Sequence, residues 1–130
     1  MKHLKKFESL RLDEINEESL HNILIDIIDD GFRVEGPYSK FNSSSIQFHI
    51  DKGYDYDYIT YDLEGVNYYD NAKFKLNEIE DSLITLERYT GLKFKYLFED
   101  EDYGTHEYNN LNDMLDSYDG YLITLIVTIY

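Results

Sequence analysis

Apolar and polar positions recur along this 130-residue chain with two periods, and each period marks its own segments. Leu20, Ile23, Leu24, Ile27 and Ile28 fall at helical spacing and make one apolar stripe. Glu17, His21, Asn22, Asp26 and Asp29 lie mainly on the other side. The spacing predicts a helix over Glu17–Asp30. Asn16 is its expected N-cap, with Ile15 placed to staple onto Leu20. Glu17 and Glu18 suit the positive end of the helix dipole, and Gly31 ends the helix. A second helix is predicted over Asn77–Thr90 from Leu76, Ile79, Leu83 and Leu86, with Asn77 and Glu80 in a capping arrangement and Gly91 at the exit. A short third helix, Leu111–Tyr118, uses Leu111, Met114 and Leu115 and stops at Gly120.

Between the helices the period drops to two. A short strand is predicted over Phe32–Glu35, followed by a turn or loop at Gly36-Pro37 and a polar loop at Asn42–Ser45. In Ser45–Ile50 the side chains of Ile46, Phe48 and Ile50 point one way, and those of Gln47 and His49 the other. Asp51-Lys52-Gly53 then turns the chain into Tyr54–Tyr61, where Tyr and Asp alternate as in an edge strand. Leu63–Lys73 reads as loop. Leu92, Phe94, Tyr96 and Phe98 share one face of a further strand, with Lys93 and Lys95 on the other. Tyr121–Tyr130 is apolar on both parities and rich in β-branched residues. That pattern predicts a strand covered on both faces or placed centrally.

These elements define an α+β fold: two main helices packed on a four- to five-stranded, mainly antiparallel sheet. Ile27–Val34 and Glu87–Phe94 echo each other sixty positions apart, so the chain is readable as two helix–strand–strand units. The length suits one domain with one core. Residues 1–13 read as a flexible basic leader and 14–130 as a single domain. A hydrophobic share of 42% exceeds what disorder allows, despite the charge.

The charge divides unevenly. Of the 12 Lys and Arg and 27 Asp and Glu, residues 1–11 hold Lys2, Lys5, Lys6 and Arg11 against Glu8, a local +3. The remaining 8 basic and 26 acidic residues give 12–130 a charge of −18. Such a body repels nucleic acid, whose phosphates need clustered Lys and Arg. It favours a basic partner, a cation or simple solubility. With no cysteine, disulfides and thiolate metal sites are excluded. No secretory signal is visible, and Tyr121–Tyr130 is about half the length of a membrane helix, so a soluble protein is expected.

No reaction is written in the residues. Ser19, Ser39, Ser43, Ser44, Ser45, Ser82 and Ser117 fall on helix surfaces or loops, outside any nucleophile elbow. His3, His21, His49 and His106 are scattered and read as surface histidines. The seven glycines never cluster into a phosphate-binding loop. Asp55 and Asp57, two apart on a strand, face one side and with Asp51 or Asp62 are weak candidates for calcium. Position 59 is Ile, however, where a calcium loop wants a third ligand. The run Glu99–Asp102 is a second weak cation candidate. Carboxylate pairs suited to glycoside chemistry arise by chance among 27 acids and carry little weight.

Fourteen tyrosines, many beside acids, carry more information. Tyrosine offers large contact area at low entropic cost and is enriched at interfaces. The candidate interaction surface is Tyr54, Asp55, Tyr56, Asp57, Tyr58, Tyr61 and Asp62 together with Glu99, Asp100, Glu101, Asp102, Tyr103 and Tyr108. The bland reading of the first stretch is an edge strand whose aspartates keep it soluble.

The opening Met1-Lys2-His3-Leu4-Lys5-Lys6-Phe7-Glu8 resembles the leaders of internal, capsid-targeted proteins of large tailed bacteriophages. In that family a Met-Lys leader with a Phe-acid pair directs the protein into the prohead, and a protease cuts after a Leu/Ile-x-Glu triplet. Leu12-Asp13-Glu14 matches the triplet and is the candidate cleavage site. The resemblance covers about 14 residues and transfers no catalytic residue. It implies a host-cytoplasmic or virion-packaged accessory protein. The expectation is therefore a non-enzymatic acidic interaction protein with no cofactor. It would bind a basic host or phage protein surface, as a nucleic-acid mimic does, with no membrane and no direct nucleic-acid contact. The alternative is a small domain binding divalent cations through clustered carboxylates; a small carboxylate enzyme ranks third.

Overall fold

A computed structural model describes residues 10–39, 44–61, 64, 65 and 67–130, with the backbone alone described for 56–61 and 67–70. The first apolar stripe forms two short helices, α1 (Glu17–Ile23) and α2 (Ile25–Asp29), in place of one. The hydrogen-bond ladder continues through the joint, with Leu24 N–H on Leu20 O and Ile28 N–H on Leu24 O, so Leu24 marks a kink. No Pro or Gly sits there; the surrounding β-branched isoleucines are the residue type that crowds a helix. The N-terminus is capped as expected: Asn16 Oδ1 accepts from Ser19 N–H and Ser19 Oγ from Asn16 N–H, both at 2.9 Å. Ile15 and Leu20 are both buried. Gly31, at φ +97°, ends the pair. Gly31 N–H reaches Ile28 O and Phe32 N–H reaches Ile27 O, the two bonds of a Schellman exit.

Strand β1 (Arg33–Ser39) runs through the expected Gly36-Pro37 turn, which is a correction. Its pairing with β2 (Ile46–Asp51) slips between Glu35 and Tyr38, so Gly36 and Pro37 form a bulge opposite Phe48. Gly36 is at φ +122°, and a Cβ there would lie 2.9 Å from Gln47 O, so only glycine fits. β2 leads into β3 (Tyr54–Tyr61), which pairs with β4 (Asn67–Asn71) as a separate two-stranded ribbon. β4 corrects the loop expected over Leu63–Lys73. Its residues lack the alternation that marks an independent strand, and the pairing with β3 supplies what the pattern does not. Ala72 N–H on Gly53 O closes the ribbon's base.

A two-residue strand β5 (Phe74–Lys75) and a 3-10 turn at Leu76–Glu78 precede α3 (Glu80–Thr90). The expected Asn77–Glu80 cap is displaced: Glu78 Oε2 accepts from Lys75 N–H at 2.7 Å. Then follow β6 (Phe94–Asp100), β7 (Thr105–Tyr108), α4 (Leu111–Ser117) and β8 (Tyr121–Ile129). β7 is a strand inside the acidic run where only a helix was expected.

The main sheet has six antiparallel strands in the order β1-β2-β8-β6-β7, with β5 also on β8. β8 is central, the second of its two expected placements. Ile50, Leu125 and Phe98 stand opposite one another across three strands, as do Phe48, Val127 and Tyr96. All six are buried and meet Leu20, Leu24, Leu83, Leu86 and Met114 from the helices in one core. Fully burying each such side chain contributes about 1.5–3 kcal/mol. The other face, with Gln47, His49, Leu97, Thr124, Ile126 and Thr128, is half-buried. The architecture is thus α+β with helices on one face of an antiparallel sheet. A helix does lead into a hairpin twice (α2–β1–β2 and α3–β6–β7), but β8 receives the second strand of the first hairpin and the first strand of the second. Tyr96 ties β6 to α3 by donating its buried hydroxyl to Glu87 Oε2 at 2.6 Å. Burial and then that carboxylate push the phenol far above its ordinary range.

Packed structure starts ahead of the expected boundary at residue 14. Leu10 is buried, and its N–H donates to Tyr89 O at 2.9 Å. Among the described residues no helix is long and apolar enough to cross a membrane.

Candidate functional site: the acidic β6–β7 hairpin

Asp100 and Gly104 close the loop between β6 and β7. Asp100 N–H donates to Gly104 O at 2.9 Å, and Tyr103 N–H to Asp100 O at 3.0 Å. That leaves a three-residue loop of Glu101, Asp102 and Tyr103, whose third residue must enter the left-handed region. Tyr103 occupies it, at φ +64°, the one non-glycine residue with positive φ among the described residues. A left-handed L-residue costs roughly 1–2 kcal/mol. The Asp100 carboxylate holds the loop in this shape. Oδ1 accepts from Asp102 N–H and Gly104 N–H, each at 2.9 Å, and Oδ2 lies 2.8 Å from His106 Nε2. The His106 bond and then the Gly104 amide hold the Asp100 carboxyl below the usual carboxylate range.

The hairpin is fixed from below by aromatic rings. His106 stacks on Phe98 at 4.7 Å and 11°, and Tyr118 leans on both. Tyr108 stacks on Phe98 at 6.1 Å. Tyr118 donates its hydroxyl to Tyr121 O at 2.6 Å. Burial, then the carboxylates of Asp100, Glu101, Asp102 and Asp119, keep its phenol above the ordinary range. His106 is therefore a half-buried, bonded group, which corrects its reading as a surface histidine. His21 is likewise half-buried, with Nε2 3.1 Å from Val34 O, and His49 meets Tyr38 edge-on.

Above this base stands Tyr103, 64% exposed, flanked by exposed Glu101 and Asp102. Glu101 pairs with Lys73 at 3.4 Å and Glu107 with Lys95. Glu99 and Asp102 have no ion-pair partner among the described residues. The sequence singled out Glu99, Asp100, Glu101, Asp102, Tyr103 and Tyr108, and the structure brings all six into one hairpin. Their roles differ: Asp100 and Tyr108 build it, while Glu101, Asp102 and Tyr103 face outward. His106 and Tyr118 were missed. The signals available were the period-two run Thr105-His106-Glu107-Tyr108 and the Gly four residues after Asp100.

The other expected stretch is placed less fully. Tyr54 is exposed and Asp55 half-buried at the start of β3. Tyr56, Asp57, Tyr58 and Tyr61 lie in β3 with their side chains outside the described set, and Asp62 lies outside the described residues. Among the described residues no group of three or more His, Asp or Glu is arranged to hold a metal. Asp51 is committed to Arg33 Nε at 2.8 Å and to Gly53 N–H at 2.7 Å. Leu12, Asp13 and Glu14 form a 3-10 turn, with Glu14 Oε1 accepting from Arg11 N–H and Nε. Leu12 packs against the core, so the candidate cleavage triplet is folded.

The fold and hairpin define a small helix-on-sheet α+β protein with an acidic, tyrosine-tipped loop closed by hydrogen bonds to Asp100. No family model, curated protein or solved structure matches the chain.

Proposed function

We propose that this chain is a non-enzymatic interaction protein that presents the β6–β7 loop to a basic surface of a partner protein. The observation that carries this reading is Tyr103. An exposed aromatic side chain is held in a costly backbone conformation by the three bonds to Asp100, where glycine would serve better structurally. Strain maintained by its surroundings concentrates at working sites. Tyrosine is an efficient contact residue, and Glu101 and Asp102 beside it supply charge that steers a basic partner. A partner groove that normally holds nucleic acid has the matching sign. The resemblance of the first residues to phage leaders supports an accessory role in a host cell or virion.

Capture from lysate on the immobilised full chain tests the proposal when run beside Tyr103→Ala and the double change Glu101→Gln, Asp102→Asn. Basic proteins are expected on the parent chain and to elute as salt rises. Tyr103→Ala should weaken binding at least about tenfold, as a hot-spot aromatic does. Capture that is indifferent to salt and to both variants would overturn the reading.

A further inference from the structure

We infer that the outer edge of β7 receives an extended basic segment of the partner, which adds to the sheet as a strand. The inference rests on the proposed binding role and specifies its mode.

Hydrogen bonding along β7 follows from the loop that precedes it. Asp100 and Gly104 are a bonded pair. In an antiparallel ladder bonded and non-bonded pairs alternate. Glu99–Thr105 and Leu97–Glu107 are therefore non-bonded pairs, and Phe98–His106 and Tyr96–Tyr108 bonded ones. The N–H and C=O groups of Thr105 and Glu107 consequently point away from β6. β7 ends the strand order, and among the described residues no element pairs with its outer side.

The two ends of the strand order are treated differently. β1 carries the Gly36-Pro37 bulge, where proline removes a donor and the ladder slips. β7 has no proline, and its pairing runs through four residues without a slip. Its surroundings select the occupant. Glu99 stands opposite Thr105, Glu107 is on the strand, and Glu101 and Asp102 lie at the loop. Lys95 pairs with Glu107 and Lys73 with Glu101, so Glu99 and Asp102 are the acids without an ion-pair partner among the described residues. A second copy of this chain would set like charges against one another on a molecule of net charge −15. A strand bearing Lys or Arg meets the opposite sign, main-chain bonds supplying affinity and alternate side chains specificity.

The test uses the isotopically labelled full chain at low salt. The probe is a synthetic peptide of about eight residues alternating Lys and Val, long enough for one ordinary strand. Amide exchange at Thr105 and Glu107 is expected to slow at least about tenfold, while His106 and Tyr108, already bonded to β6, change little. Glu107→Pro removes one outward N–H, leaves the β6 bonds intact and should weaken binding at least about tenfold. A peptide N-methylated at every backbone amide, which leaves neither edge a donor, should lose binding to the unmodified protein, and this keeps the test independent of how the proline variant folds. Failure of the peptide to bind would overturn the inference. So would binding that leaves the Thr105 and Glu107 amides unaffected or tolerates N-methylation. If such binding is still abolished by Glu101→Gln, Asp102→Asn, the basic-partner reading stands and strand addition alone falls.

Discussion

Two hairpins carry the tyrosine- and acid-rich stretches of this chain, and they are built on different foundations. The β6–β7 hairpin extends the main sheet; its rings stack on Phe98 and Tyr118, and its loop is closed by a buttressed carboxylate. Among the described residues β3 and β4 pair only with each other, and their register slips between Asp55 and Ile59. A lone two-stranded ribbon is marginally stable in water. Similar composition therefore yields a hairpin built into the main sheet in one place and a separate two-stranded ribbon in the other. A binding loop gains from pre-organisation because less ordering remains to be done on association.

The largest way to break this contrast is at the shared ring. Phe98 is fully buried beneath His106, Tyr108 and Tyr118. Phe98→Ala should cost about 3–5 kcal/mol and loosen the hairpin and the core together in a urea melt. Replacing 56–70 with a short Gly-Ser turn should change the same melt by about 1 kcal/mol or less, since loop length enters stability only logarithmically. A smaller, opposite effect is expected at the tip. Tyr103→Gly relieves the left-handed strain and should stabilise the fold by about 1 kcal/mol while partner capture weakens. A loss of stability there would mean that Tyr103 serves the fold.

The acid titration sharpens the same contrast. Asp100 has a folded pKa below its unfolded value, from the His106 bond first and the Gly104 amide second. Its contribution is thus fully present above the unfolded carboxylate range near pH ~4 and is lost as pH falls through the lower, folded value. Urea melts over about pH 2–7 should show the parent more stable than Asp100→Asn at the upper end, with the difference vanishing at the lower.

Where burial dictates residue type, the sequence was readable. The stripe Leu20–Ile28, the row Ile46, Phe48 and Ile50, and Leu122, Leu125, Val127 and Ile129 of the β-branched Tyr121–Ile129 each face the core, and each element appears as predicted in kind. Pairing without burial was not readable. Thr105–Tyr108 alternates over four residues only, with none fully buried, and the strand is set by the loop that Asp100 fixes before it. The Gly36-Pro37 dipeptide reads locally as a turn, yet the sheet edge absorbs it as a bulge. The kink at Leu24 has no breaker residue to announce it. At the candidate site the acidic and tyrosine positions were legible from composition. The Asp100–His106 bond depends on a register that no local pattern encodes.

The most direct test of the hairpin's role is amide exchange on the full chain with and without a captured basic partner. New protection concentrated in residues 99–108, with 54–71 unchanged, is the predicted result. Protection confined to 54–71, or none in either hairpin despite binding, would contradict it.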